Sequence, residues 1–203
     1  MPPYDAIGRR ELLKLFAAIG AAGAVGETAM AAGTQQLVLP AGTLLIGTGG
    51  TGCKVVRRAI QMGFDTRGFA AIDADCADLA ASGAAHQIHC GAMLPDGTRP
   101  IDSHETAETR TRIDALLQGV SRLVVVTGLG GRTGAYWMFE IAGEGRLAAR
   151  HIRERGMTAE AVTTLPRGDE FINQRFMAVG RLGALRQHRA LKVHVNFEDD
   201  WRL

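Results

Sequence analysis

The chain has 203 residues, 46% hydrophobic and 22% charged, enough to bury the core of one domain and too few for two full ones. Its net charge of +2 and its scattered arginines provide no basic stripe, so nucleic acid is not an expected partner. Three cysteines, Cys53, Cys76 and Cys90, fit neither a disulfide framework nor a CxxC pair, whereas 26 glycines gathered in a few clusters mark backbone-lined sites.

The amino end runs from Gly8-Arg9-Arg10-Glu11-Leu12-Leu13-Lys14 through a weakly apolar segment to Ala29 and Ala31, spaced as A-x-A. This resembles a twin-arginine export signal, with an apolar part too short to span a bilayer. An amphipathic or disordered extension is the alternative reading. Residues 1–36 therefore stand apart from the domain, which is expected over 37–203. Export would place the protein in the periplasm, and the ligand argued below would place it in the cytoplasm.

From Pro40 onward, short β-branched or apolar runs alternate with helical stretches. Strands are predicted at Thr43–Ile46, Gly68–Asp73, His86–Cys90, Arg122–Thr127, Thr158–Thr164 and Leu191–Asn196. Helices are predicted at Thr51–Met62, Asp75–Ala81, Ser103–Leu117, Thr133–Arg155 and Asp169–Arg189. The alternation gives an α/β fold, a three-layer Rossmann-like, mostly parallel sheet with helices on both faces. Strand alternation would put His86 and Cys90 on one face and His89 on the other, which argues against a zinc set there.

The first strand runs into Ile46-Gly47-Thr48-Gly49-Gly50-Thr51-Gly52-Cys53-Lys54. A turn from a parallel strand into a helix aims free amides and the positive helix end at one point, so it suits an anion. Gly47, Gly49 and Gly52 match G-x-G-x-x-G, and Asp73 ends the next strand as a dinucleotide fold would want. It is not a Walker A loop, because Lys54 stands two places after Gly52 and is followed by Val55. The fourth strand ends in a second glycine loop, Thr127 to Tyr136, which contains Gly128, Gly130, Gly131 and Gly134. Two such loops at one sheet edge suit the phosphate chain of a nucleotide.

With both loops in place, residues 43–200 resemble the nucleotide-binding domain of the tubulin and FtsZ superfamily. The likeness lies in I-G-T-G-G-T-G-C-K, in A-I-D-A-D-C-A-D-L (Ala71 to Leu79), in V-V-V-T-G-L-G-G-R-T-G-A-Y, in T-T-L-P (Thr163 to Pro166) and in V-H-V-N (Val193 to Asn196). The resemblance implies that Gly49, Gly50 and Gly52 line the α and β phosphates, with Thr51 also among the nucleotide-binding residues. It implies that Gly130, Gly131, Thr133 and Gly134 form the family's signature loop and that Asp75 belongs to a second phosphate loop. Pro166 would lie beside the sugar, and Asn196 would read the guanine with an amide that both donates and accepts.

Departures from the pattern are part of the reading. Asp73 stands for an Asn, Lys54 for an Asn, Arg132 for a signature glycine and Tyr136 for the last one; Lys54 and Arg132 could each pair with a phosphate. The connection Cys90 to Pro100 does not resemble the family's γ-phosphate loop, and only Phe171 survives of its Phe-Glu-Gly-x-x-Arg pattern. The chain stops at Leu203, where the family's central helix would start, and its acidic N-x-D-x-x-D loop has no counterpart in Glu198, Asp199 or Asp200. The resemblance therefore implies a guanine-nucleotide (GTP/GDP) binding protein, with Mg2+ as an optional companion and with weak or partner-dependent hydrolysis. Self-association, or association with a filament-forming relative, is the implied partnership. Two alternatives stand beside it: an NAD(P)- or FAD-binding Rossmann oxidoreductase, and a catalytically inactive scaffold. Ser103-His104-Glu105 reads as a helix cap rather than a nucleophile site, and Arg146, Arg150, Arg153 and Arg155 read as a solvated helix face.

Overall fold

The computed structural model describes residues 37–91, 104–143, 145–166 and 172–197. Its strands are β1 (Thr43–Thr48), β2 (Phe69–Asp73), β3 (His86–His89), β4 (Arg122–Gly128), β5 (Thr158–Leu165) and β6 (Leu191–Phe197). Between them run α1 (Gly49–Gln61), α2 (Cys76–Ser82), α3 (His104–Leu116), α4 (Arg132–Ala142), α5 (Leu147–Arg155) and α6 (Ile172–Arg186). The strands form one sheet in the order β3-β2-β1-β4-β5-β6, and every neighbouring pair is parallel. The expected α/β sheet is thus present, and it is parallel throughout.

Parallel strands need covered faces, and here alternate residues feed two cores. Leu44 and Ile46 of β1 join Ile72, Val125, Trp137 and Met138 on one side. Leu45 joins Val55, Val56, Phe69, Val124 and Val126 on the other. With no solvent face to mark, β1, β2 and β4 read as almost unbroken apolar runs. Each fully buried side chain of this kind contributes about 1.5–3 kcal/mol. On α1 the buried positions Gly52, Cys53, Val55, Val56 and Ala59 make one stripe at helical spacing, which fixes the helix against β1 and β4.

One predicted element divides. The expected helix Thr133–Arg155 is two, α4 and α5, because Gly143 leaves the helical region at ψ 162 and Gly145 turns with φ 69. The Gly-Glu-Gly step is a stop signal, and the basic run beyond it belongs to α5. Glu140, 6% exposed, accepts ion pairs from Arg110 at 2.6 Å and Arg146 at 3.1 Å across that break. Arg146 and Arg150 are thus partnered residues, the latter with Asp114 at 2.8 Å. The three cysteines are free, Cys53 and Cys90 buried and Cys76 exposed. Among the described residues no group of three or more His, Cys, Asp or Glu side chains is arranged to hold a metal, and no helix is long and apolar enough to cross a membrane. The export-like segment, Ser103, Phe171, the acidic Glu198 to Asp200 and the connection from Ala92 to Pro100 lie outside the described residues.

The chain leaves β1 toward β2 and β3 in one direction and leaves β4 toward β5 and β6 in the other. The order reverses between β1 and β4, and open α/β sheets form ligand crevices beyond the carboxyl ends of strands at such a reversal.

Candidate functional site

Both glycine loops lie at that reversal. Thr48 and Thr127 are register partners on β1 and β4, and their hydroxyls cross to tie the loops together. Thr48 Oγ1 donates to the Gly134 carbonyl at 2.9 Å, and Thr127 Oγ1 donates to the Thr48 carbonyl at 3.1 Å. Thr48 is the N-cap residue of α1, yet its side chain caps nothing in its own helix. Gly131 is the N-cap of α4 and has no side chain to offer. Neither helix carries an acid in its first turn. Two helix starts, with first-turn amides that no cap side chain satisfies, therefore point to the same space.

The glycines divide into two groups by what a methyl group would meet. At Gly52 it would sit 2.6 Å from the Val126 carbonyl oxygen, and at Gly49, where φ is +68, 2.8 Å from the Gly134 backbone. At Gly134 it would lie 2.7 Å from the Thr48 oxygen. Gly47 packs against Gly52 in the same way. These four permit main-chain contact between β1, α1, β4 and α4. At Gly128 the methyl would sit 2.6 Å from Thr51 Oγ1, and at Gly130 2.8 Å from Pro166 Cγ. Gly131 is different, with only the Gly128 oxygen within 4 Å, at 3.8 Å. At Gly50 the methyl would meet a side chain, Asp78 Oδ2 at 2.7 Å, with Asp73 Oδ2 at 4.0 Å.

That acidic flank is more crowded than the sequence suggests. Asp73 is 5% exposed; its Oδ1 accepts from the Ala74 amide at 2.7 Å and the Asp75 amide at 3.4 Å. The Cys53 thiol donates to its Oδ2 at 3.8 Å. Burial pushes the Asp73 carboxyl above the usual carboxylate range, against the pull of the two amides. Burial, with Asp73 and Asp78 adding their charge, pushes the Cys53 thiol far up, so Cys53 is a protonated donor. Asp75 is the N-cap of α2, accepting from the Ala77 amide at 2.7 Å and the Asp78 amide at 3.3 Å. It thus has a local structural partner at the rim of the cradle.

The remaining candidates fall around this centre. Thr51 and Lys54 are half-buried on α1, Thr133 is half-buried on α4, and Arg132 begins α4 exposed. Tyr136 packs on the core edge, its ring 5.3 Å from Trp137 in a T-shaped arrangement. Pro166 follows β5 and abuts the second loop through Gly130. The main chain of Asn196 pairs with Thr164 at the same end of the sheet; its side chain lies outside the described residues. Thr164 is 2% exposed, and its buried Oγ1, 3.4 Å from a methyl built on Gly128, has no hydrogen-bond partner. Two residues at this site were not among those expected. Asp78 is a third acid in a run read as a loop motif, and Arg181 reaches the second loop from α6. An Asp two places beyond Cys76 was visible in the sequence, whereas nothing near Arg181 in the chain points to Gly131.

No protein-family model matches the chain. Among curated proteins, the cell division protein FtsZ of Neisseria gonorrhoeae is 28% identical over 137 residues, 65% of this chain and 33% of its own length. Cell division protein FtsZ 1 of Thermococcus kodakarensis is 30% identical over 127 residues, 60% of this chain and 32% of its own length. This chain spans about a third of the length of these relatives. Among solved structures, TubZ of Clostridium botulinum phage c-st superposes with a TM-score of 0.61 at 14% identity, over 78% of this chain and 52% of that one. An FtsZ dimer from M. jannaschii superposes with a TM-score of 0.54 at 27% identity, over 75% and 44%. The fold is therefore the Rossmann-like core found in FtsZ and TubZ.

Proposed function

We propose that this domain binds a guanine nucleotide, GTP or GDP, in the manner of the tubulin and FtsZ superfamily. The observation that carries the reading is the meeting of two uncapped strand-to-helix turns, through Gly49 and Gly134, at the β1–β4 reversal. One turn suits one anionic group; two in contact suit a di- or triphosphate. The open face of Gly131 fits an incoming ligand between the loops. Relatives that are FtsZ proteins at 28–30% identity favour a guanine nucleotide over NAD(P) or FAD.

In this reading Gly49, Gly50 and Thr51 hold the diphosphate from one side, and Gly130, Gly131, Arg132 and Thr133 hold it from the other. Lys54 and Arg132 supply positive charge, Pro166 borders the ribose, and Asn196 meets the base. Gly47, Gly52 and Gly134 serve the site indirectly by letting the two turns touch. Asp73 and Asp78 put negative charge beside Gly50, and Mg2+ bound with the nucleotide would supply the charge that offsets them. Hydrolysis, weak or dependent on a partner that brings a water-orienting acid, is proposed from the resemblance to that superfamily. Self-association is proposed on the same footing.

The test is displacement of a fluorescent guanine nucleotide from the full chain by unlabelled GDP and by NAD. GDP is expected to compete and NAD to leave the signal unchanged. Displacement by NAD alone would overturn the assignment. Phosphate release measured with and without an FtsZ-type protein reads the partner dependence, and equal strong turnover in both would refute that part.

A further inference from the structure

Arg181 lies on α6, fifty residues along the chain from the second glycine loop, yet its Nη1 donates to the Leu129 carbonyl at 2.6 Å and to the Gly131 carbonyl at 2.9 Å. A peptide unit is planar and trans, so its C=O and the N–H of the following residue point in opposite directions. Holding the Leu129 and Gly131 oxygens toward α6 therefore turns the amides of Gly130 and Arg132 away from α6. The Arg132 amide is the first of α4, whose N-cap Gly131 has no side chain. The other fastenings described for this loop, from the Leu129 amide to the Thr164 carbonyl at 3.0 Å and through the Thr48 and Thr127 hydroxyls, hold its two ends. Gly130 and Gly131 have no side chains with which to hold themselves, and a methyl on Gly131 would meet nothing nearer than the Gly128 oxygen at 3.8 Å. Their orientation thus depends on α6.

We infer that Arg181 is a positioning residue that aims the amides of Gly130 and Arg132 at the phosphates of the bound nucleotide. The inference rests on the nucleotide reading above and adds a residue to it. Arg181 itself touches the loop from behind and need not touch the ligand. Its guanidinium is half-buried and keeps its charge, since burial lowers its pKa only from the arginine range. It therefore also backs the loop with a fixed cation close to where phosphate charge would sit. Both hydrogen bonds leave one nitrogen, so a lysine ammonium, with three donors, can make them. A side chain of similar length without donors cannot.

The experiment compares wild type, Arg181→Lys and Arg181→Met as full chains. Each is tested for apo melting temperature and for competition by GDP and by guanosine against a fluorescent guanine nucleotide. Arg181→Met is expected to lose about tenfold in GDP affinity while guanosine, which has no phosphate, competes within twofold of its wild-type value. Arg181→Lys is expected to stay within threefold for both, and the apo melting temperatures to differ by only a few degrees. GDP affinity unchanged in Arg181→Met, or an equal loss for guanosine and GDP, would overturn the positioning role while leaving the nucleotide reading in place. A wild-type chain that binds neither ligand would overturn the nucleotide reading and this inference with it. Should Arg181→Met fail to fold, Arg181→Leu, which also lacks a donor, is read in its place against the same outcomes.

Discussion

Replacing Gly134 by alanine puts a methyl group 2.5 Å from Thr127 Oγ1 and 2.7 Å from the Thr48 carbonyl oxygen. An ordinary carbon–oxygen contact needs about 3.4 Å or more, and the Thr48 oxygen is main chain inside the sheet, so α4 must lift away from β1. Overpacking of this kind costs about 1–3 kcal/mol. The same shift strains the Thr48–Gly134 and Thr127–Thr48 hydrogen bonds, worth about 1 kcal/mol each. Alanine returns about 1 kcal/mol through helix propensity, leaving a net loss of about 2–4 kcal/mol. The control is Gly131→Ala. Gly131 has φ −78 and ψ 154, an ordinary extended conformation, and its methyl would meet nothing nearer than 3.8 Å. Its stability should fall by no more than about 1 kcal/mol, the cost of alanine for glycine at an N-cap, while its methyl would enter the ligand space and weaken GDP binding by about tenfold or more, roughly 1.4 kcal/mol. Urea denaturation of the apo chains measures the first quantity and nucleotide titration the second. The reasoning is refuted if Gly134→Ala is as stable as wild type, or if Gly131→Ala loses stability to the same degree.

Three further outcomes follow from the same geometry. Asp78→Asn, which removes a carboxylate next to Gly50, should tighten GDP binding several-fold at low ionic strength, with the gain shrinking as salt is added; weaker binding would show that the carboxylate helps the ligand. Asp73 has a raised pKa in the fold, so its contribution is fully present only where it is protonated in both states and is lost as pH rises through the folded value. Asp73→Asn should therefore be more stable than wild type at pH 7, by about 1 kcal/mol, with the gap closing below about pH 4; thermal melts that keep the same gap at pH 3 would contradict this. Thr48→Val keeps the shape but leaves the Gly134 carbonyl without its donor and should cost about 1–3 kcal/mol, read by urea denaturation, with no loss at all counting against the cross-loop tie.

The sheet was legible in the sequence because its information is local. A strand buried on both faces needs an apolar run and a helix needs a stripe, and both patterns are written within about ten residues of themselves. All six strands lie within two residues of where the pattern places them. The helix boundary at Gly143 was hidden for a physical reason: the charged residues Arg146 to Arg155 continue a helical composition on the far side of the break. The glycine loops were equally visible, but their roles were not. Gly52 and Gly131 look alike in sequence, yet one is pressed against the Val126 carbonyl and the other faces open space. That distinction exists only when β4 and α4 are brought beside β1. Arg181 is the extreme case, because its partners are carbonyl oxygens, which every residue possesses and no motif can announce.

The charges on the two turns explain why the acidic flank matters more than the glycines alone would suggest. Each helix start carries the equivalent of about half a positive charge, so α1 and α4 together offset about one carboxylate. Asp78, half-exposed beside Gly50, uses that allowance before any ligand arrives. Asp73 competes less, since two amides and a thiol already surround it. A diphosphate entering this space must therefore draw on Lys54, Arg132 and Arg181, or bring a divalent cation with it. This ordering separates the two acids: substituting Asp78 should act on ligand affinity through charge, and substituting Asp73 should act on folding through burial. An interchange of those two effects would mean that the carboxylate nearest the phosphates is the buried one, and that the cradle opens toward β2 rather than toward β4.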